Sequence, residues 1–262
     1  METTKPLVSI VVLSKNPIPG SLANDLAKQS YRPFEVIHAN QPGIVNAMNN
    51  ALDAARGDIF VRIDDDVQLS TDWLLNIVKS FNDPEVGGVT GPTFVPYDRM
   101  ENRDSIRYLM SPGPLLTWLY DNEPFAAARI YKCGSVSYGS NFIHHIKIGT
   151  IDHLEGTNWA MRTDLIRKVG GFDPKFDGVA EWFDTDVEFK IKKLGYKLSY
   201  NRLAIVWHLL EKGEHYNDRF EGFGRIKNWL RFHIRHSSFH WKMVVFLIVW
   251  GGYFVWKNLK KN

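Results

Sequence analysis

Three consecutive carboxylates stand in RIDDDVQL, residues 62–69, directly after an apolar run. In an extended chain, residues two apart share a face. Asp64 and Asp66 can therefore converge on one cation while Asp65 points elsewhere. Carboxylate oxygens suit Mg²⁺ or Mn²⁺, and such ions are commonly held by one or two carboxylates together with substrate phosphates. The same three residues can instead form a solvated acidic turn, since short acidic clusters are common on protein surfaces. Their position favours the metal: in open α/β sheets, ligands collect beyond the carboxyl ends of the strands.

The elements that must hold these carboxylates are legible as alternating strand and helix patterns. Val8–Leu13 is nearly continuous in apolar, β-branched residues, as a strand buried on both faces requires. Ser21–Gln29 is predicted helical and Phe34–His38 a second strand. Gly43–Arg56 carries Ile44, Met48, Ala51, Leu52 and Ala55 at helical spacing and meets Gly57 as a stop. Asp58–Ile63 reads as the third strand. Thr71–Phe81 reads as a helix with Ser70 or Thr71 as its N-cap, and Val86–Thr90 as a fourth strand ended by Gly91 and Pro92. The alternation predicts an α/β fold, a mostly parallel sheet with helices on its faces. Residues 96–149, with Pro112, Pro114 and the pair His144 and His145, read as an irregular insertion on the acceptor side. A short helix from Thr163, a helix over EWFDTDVEFKIKKLGY and one last strand, Lys197–Trp207, ending at His208, complete a domain spanning 1–212.

The region 213–262 differs in character. Phe223, Ile226, Leu230 and Ile234 share one helical face, with Arg225, Lys227, Arg231 and Arg235 adding charge. Met243–Trp256 then runs without a charged residue between Lys242 and Lys257, carrying Trp250 and Trp256. That run is shorter than the roughly 20 residues a bilayer crossing needs, yet a basic amphipathic helix leading into it suits a membrane surface. A helix packed on the domain is the plainer alternative. The chain has 262 residues, a net charge of +3 and one cysteine, Cys133, so an intrachain disulfide is excluded and the whole protein is no polyanion binder. The basic residues beside a membrane-like helix argue against nucleic acid as a partner. With no basic leader before the first strand, the catalytic part is expected to face the cytoplasm, associated with the membrane.

Five segments in order resemble a family 2 glycosyltransferase with the Rossmann-like GT-A fold, over roughly residues 6–210. They are VSIVVLSKN, QSYRPFEVI, PGIVNAMNNALDAARGDIFVRIDDD, GTNWAMRTDLIRKVGGFD and FDTDVEFKIKKLGY. The resemblance implies that Ser14, Asn16, Gly43, Asn49, Asp64 and Asp65 contact a nucleotide-sugar donor, a UDP- or GDP-sugar. It implies that Asp64 and Asp66, with His208 at the end of the last strand, hold Mn²⁺ or Mg²⁺. Asp184 matches the aspartate that takes the proton from the attacking hydroxyl as the anomeric carbon inverts. Shifted by two residues, Asp186 would be the base. A carboxylate favoured by the helix dipole is the simpler account of Asp184, and a strand-end loop histidine that of His208. Phe183 replaces an acidic residue of the family pattern, and HANQP lacks the aspartate that often meets the base of the nucleotide. The tail RFEGFGRIKNWLRFHIRH resembles the approach to membrane helices in enzymes with lipid-linked acceptors.

The expected activity is therefore transfer of a hexose to a lipid-linked or membrane-proximal glycan. A nucleotidyltransferase of similar fold is the first alternative, disfavoured because LSKNPIPGS lacks a Gly-rich basic loop for a triphosphate. A non-catalytic relative that binds sugar nucleotides or glycans is the second. The sequence leaves the oligomeric state open.

Overall fold

The computed structural model describes residues 5–96, 113–137, 141, 149–176, 178, 180–210 and 222–259, with the side chains of 222–223 and 253–259 outside the description. His144, His145, much of the expected insertion and the expected domain boundary at 212/213 fall outside the described residues.

β1 (Val8–Leu13), β2 (Phe34–Ala39) and β3 (Ile59–Asp64) are parallel, with β1 between the other two. Their side chains alternate between two cores. Val8, Ile10, Val12, Ile59, Val61 and Ile63 pack with α1 (Gly20–Ala27) and α3 (Trp73–Ser80). Val11 and Phe60 pack on the other face with α2 (Ile44–Ala54). Cover on both faces explains why these strands lack a polar alternation. Helix α3 begins after Asp72 with no side-chain cap bond, so neither Ser70 nor Thr71 serves as its N-cap; the Trp73 amide instead donates to the Ser70 carbonyl at 3.0 Å.

The six-stranded sheet runs β2-β1-β3-β7-β5-β8, where β5 is Val86–Thr90, β7 is Asn158–Arg162 and β8 is Lys197–Tyr200. The pattern predicts no strand at β7, which lies antiparallel to both β3 and β5 and makes the sheet mixed. Its pattern is masked by Asn158, a polar residue fully buried at the strand start. That amide accepts from Trp73 Nε1 at 2.9 Å and donates to the carbonyls of Pro92 and Ala204, so its burial is satisfied.

The expected last strand, Lys197–Trp207, is two strands. β8 (Lys197–Tyr200) pairs parallel with β5. β9 (Val206–His208) crosses to a three-stranded sheet of order β4-β9-β6, with β4 Val67–Leu69 and β6 Thr93–Phe94. Asn201 turns the chain between them: its carboxamide oxygen accepts the Leu203 amide at 3.0 Å and its nitrogen donates to Asn76 O and Ser80 Oγ of α3. A side chain at Gly91 would meet the Ala204 carbonyl at 2.3 Å, so this crossing also needs that glycine.

Helix α4 (Pro114–Leu119) precedes β7, and α5 (Thr163–Lys168) and α6 (Phe183–Lys193) follow it. Helix α7 (Gly222–His236) lies against α6 through Phe232, which is fully buried and stacks on Trp182 at 4.6 Å. Trp229 donates from Nε1 to the Gly134 carbonyl at 2.8 Å. Helix α8 (Lys242–Leu259) carries the apolar run and meets α4 through Lys242, whose ammonium lies 2.7 Å from Asp121. Among the described residues no helix is long and apolar enough to cross a membrane.

Candidate functional site

β1, β3 and β9 end at one edge, and their last residues form the site. β3 delivers Asp64, and the short strand β4 opens immediately after Asp66. Because Val67 pairs with His208 across β4 and β9, the imidazole is held beside the carboxylates. His208 Nε2 lies 3.1 Å from Asp66 Oδ1, and one ligand atom from each of Asp64, Asp66 and His208 falls within 4.8 Å of the others. All three are half-buried. Two carboxylates and an imidazole suit a divalent cation with room for phosphate oxygens, and the imidazole favours Mn²⁺, the softer of the two expected ions.

Asp65, in the bend after β3, points away from this cluster and accepts a short hydrogen bond from Ser14 Oγ just past the end of β1. The Asn16 amide donates to the same hydroxyl at 3.1 Å, and His38 Nε2 lies 3.1 Å from the Ser14 carbonyl. Leu13, Ser14, Lys15, Asn40, Gln41 and Gly43 line a small cleft over the β1 and β2 ends. Gly43 has φ +83°, a backbone state that favours glycine, immediately before α2. Asn49 does not join the cleft. Its side chain brackets the Phe172 backbone, donating to the carbonyl at 2.8 Å and accepting from the amide at 3.0 Å. It pins the turn after α5 to α2.

Asp64 is held on both oxygens. Arg62 Nη2 lies 2.6 Å from Oδ1, and Thr157 Oγ1 donates to Oδ2 at 3.0 Å. The other terminal nitrogen of Arg62 stands 3.9 Å from Asp184 Oδ2. Asp184 is buried in the first turn of α6, and its Oδ1 accepts the Thr185 amide at 2.9 Å. Burial raises its pKa above the ordinary carboxylate value, while the Arg62 charge opposes that rise. One turn further, Glu188 is fully buried and raised well above its ordinary value by burial and then by the Asp184 charge.

Asp186 is in a different environment. It is fully buried and faces Lys190 at 2.7 Å, His236 at 2.8 Å and Arg235 at 3.2 Å. Burial pushes its carboxyl up, but the hydrogen bonds from His236, Lys190 and Arg235 outweigh it and bring the pKa down to about 2. Asp184 faces the metal-side carboxylate through one guanidinium; Asp186 faces away, locked to α7.

Residues 10–170 match the profile of Glycosyl transferase family 2, well over half of the chain. The chain belongs to this family. A probable glycosyltransferase of Bacillus subtilis (strain 168), YdaM, is 24% identical over 212 residues, 78% of this chain and 43% of that protein. The family 2 chain thus spans less than half the length of that relative. Among solved structures, the mannosyltransferase PcManGT of Pyrobaculum calidifontis, in complex with GDP-Man and Mn²⁺, aligns at TM-score 0.55 and 17% identity. That alignment covers 92% of this chain and 67% of that one. GalNAc-T7 with UDP, GalNAc and Mn²⁺ aligns at TM-score 0.51 and 12% identity, covering 94% and 58%. At these identities the likeness is one of fold, and it agrees with the GT-A architecture.

The family 2 match ends before Asp184, so the place of that residue rests on the geometry. Sequence reading missed Arg62 and Thr157. Arg62 had a visible signal, since it lies two residues before Asp64 on the same strand face and puts a charge in an otherwise apolar run. Thr157, far away in the chain, had none.

Proposed function

We propose that the chain is a metal-dependent glycosyltransferase that moves a hexose from a UDP- or GDP-sugar to a hydroxyl of a lipid-linked or membrane-proximal glycan, inverting the anomeric centre. The observation that carries this reading is the cluster Asp64, Asp66 and His208 lying one guanidinium away from the buried carboxylate Asp184.

Asp64, Asp66 and His208 would hold the cation, which when bound offsets the charge gathering on the leaving diphosphate. The cleft over β1 and β2, lined by Ser14 and Gly43, takes the nucleoside, with Asp65 and Asn16 fixing the Ser14 hydroxyl at its rim. A neutral alcohol is a poor nucleophile, and a placed carboxylate assists it. Asp184 accepts the hydroxyl proton as the acceptor oxygen bonds to the anomeric carbon, while the bond from that carbon to the diphosphate oxygen breaks on the opposite side. The products are the glycoside, the nucleoside diphosphate and a protonated Asp184. Mannosyltransferase PcManGT bound to GDP-Man and Mn²⁺, and GalNAc-T7 bound to UDP and Mn²⁺, support both the ion and the donor class.

A membrane-proximal acceptor is supported by the outer surface of α7. Ile226, Leu230 and Ile234 form an open apolar stripe on one face of the helix, edged by Lys227, Arg231 and Arg235. Ile234 is 82% exposed, and Phe239, Trp241 and, on α8, Ile248 are exposed as well. Apolar and cationic side chains together match an anionic bilayer surface.

Incubation with a panel of UDP- and GDP-sugars and a lipid extract tests the reading, with the product anomer determined by NMR. A product of inverted configuration is expected; retention of configuration would refute the role of Asp184 as a base.

A further inference from the structure

Arg62 is an anomaly in its strand. β3 is buried on both faces, with Phe60, Val61 and Ile63 fully buried around it, and an apolar residue would suit position 62 best. Instead a guanidinium whose side chain is 7% exposed occupies the core. A buried charge is costly unless it is paired, so its partners must account for it. They are the two carboxylates of the site: Asp64 at 2.6 Å and Asp184 at 3.9 Å. Gly156 lies over both, for a side chain there would sit 3.6 Å from Arg62 and 3.8 Å from Asp184. The Arg62 backbone is fixed by pairing with Val11 on one side and Trp159 on the other.

We propose that Arg62 is a positioning residue that ties the metal-side carboxylate Asp64 to the acceptor-side carboxylate Asp184, so that one rigid strand sets the distance between cation site and base. The inference rests on the roles given above to Asp64 and Asp184. Its physical basis is the planar guanidinium, which can address two carboxylates in different directions; a lysine ammonium is a single point charge. At one end Arg62 keeps Asp64 in the rotamer that also accepts the Thr157 hydroxyl. At the other its second terminal nitrogen lies 3.9 Å from Asp184. Among the described residues, His153 from the segment before β7 and Glu188 from its own helix also interact electrostatically with Asp184.

The test combines Mn²⁺ binding, followed by electron paramagnetic resonance with the metal alone, and the pH profile of sugar-nucleotide turnover. In Arg62→Gln the Mn²⁺ dissociation constant is expected to rise about 10- to 100-fold, the usual cost of losing a group that orients a ligand. The ascending limb of the pH profile is expected to move to higher pH, because Asp184 loses the charge that favours its ionised form. A loss of fold alone would not move that limb. Arg62→Lys, which keeps the charge without the fork, is expected to weaken Mn²⁺ while leaving the limb nearly in place, and it decides the matter if the Gln variant does not fold. Wild-type Mn²⁺ affinity in either folded variant would overturn the inference. If the wild type bound no Mn²⁺ and Asp184→Asn kept full turnover, the underlying site reading would fall with it. If both hold and Arg62→Gln is unchanged, this inference falls alone.

Discussion

His208 Nε2 lies 3.1 Å from Asp66 Oδ1, although the two residues are far apart in sequence and lie at the junction of two sheets. The short β4–β9 pairing is what brings them together, so the cation site is as firm as that seam. His208→Ala is expected to weaken Mn²⁺ binding about 10- to 100-fold while leaving the fold intact, and Asp66→Ala to weaken it more, since it removes charge as well as a ligand. Isothermal titration with Mn²⁺ checks this; equal affinity in all three proteins would remove His208 and Asp66 from the site.

Asp184 and Asp186 give opposite predictions. Burial, partly offset by Arg62, raises the pKa of Asp184 above that of an ordinary carboxylate. Turnover should therefore rise with pH through a limb lying above the ordinary carboxylate value, as the base becomes ionised. Asp184→Asn is expected to lower turnover about 10²- to 10⁴-fold. Because ionising a buried carboxyl is costly, the same change should leave thermal stability equal or slightly higher. Turnover and thermal melts of one preparation test both halves.

For Asp186 the sign reverses. Its folded pKa of about 2 lies below its unfolded value, so its contribution to stability is fully present above the unfolded pKa and is lost as pH falls through the folded pKa. The shift corresponds to about 2 kcal/mol. Asp186→Asn should lower the midpoint of thermal unfolding by several degrees near neutral pH, with the gap to the wild type closing between pH 4 and pH 2. Measured melts at a series of pH values check this; a gap that stays constant across that window would show that ionisation of Asp186 does not carry the difference.

The outer face of α7 predicts a separable defect. Ile234→Asp puts a negative charge in the most exposed apolar position of that stripe. Co-sedimentation with vesicles of phosphatidylcholine and phosphatidylglycerol should fall several-fold, while Mn²⁺ affinity stays at the wild-type value. Equal sedimentation of variant and wild type would rule out this face as the docking surface.

The first three strands were legible because helices cover both faces, which forces an unbroken apolar run such as Val8–Leu13. The carboxylate cluster was legible as acidic residues at the end of an apolar strand, although only Asp64 belongs to β3 and Asp65 and Asp66 lie in the bend before β4. What the sequence hid depends on partners distant in the chain. β7 begins with Asn158, which reads as loop until Trp73, Pro92 and Ala204 are seen around it. Lys197–Trp207 reads as one strand until Asn201 is seen bonded to α3. No local pattern separates Asp184 from Asp186; the distinction comes from Arg62 on one side and from Arg235 and His236 on the other. Asn49 reads as a donor contact and is a clamp on Phe172.

Metal-dependent transfer with Asp184 as base is tested by nucleoside diphosphate release from UDP- and GDP-sugars with a lipid extract as acceptor, with Mn²⁺ or with EDTA, for the wild type, Asp66→Ala and Asp184→Asn. Mn²⁺-dependent release from at least one donor, abolished by EDTA and lost in both variants, is expected. Release that persists in EDTA, or no release from any donor by a wild type that still binds Mn²⁺, would contradict it.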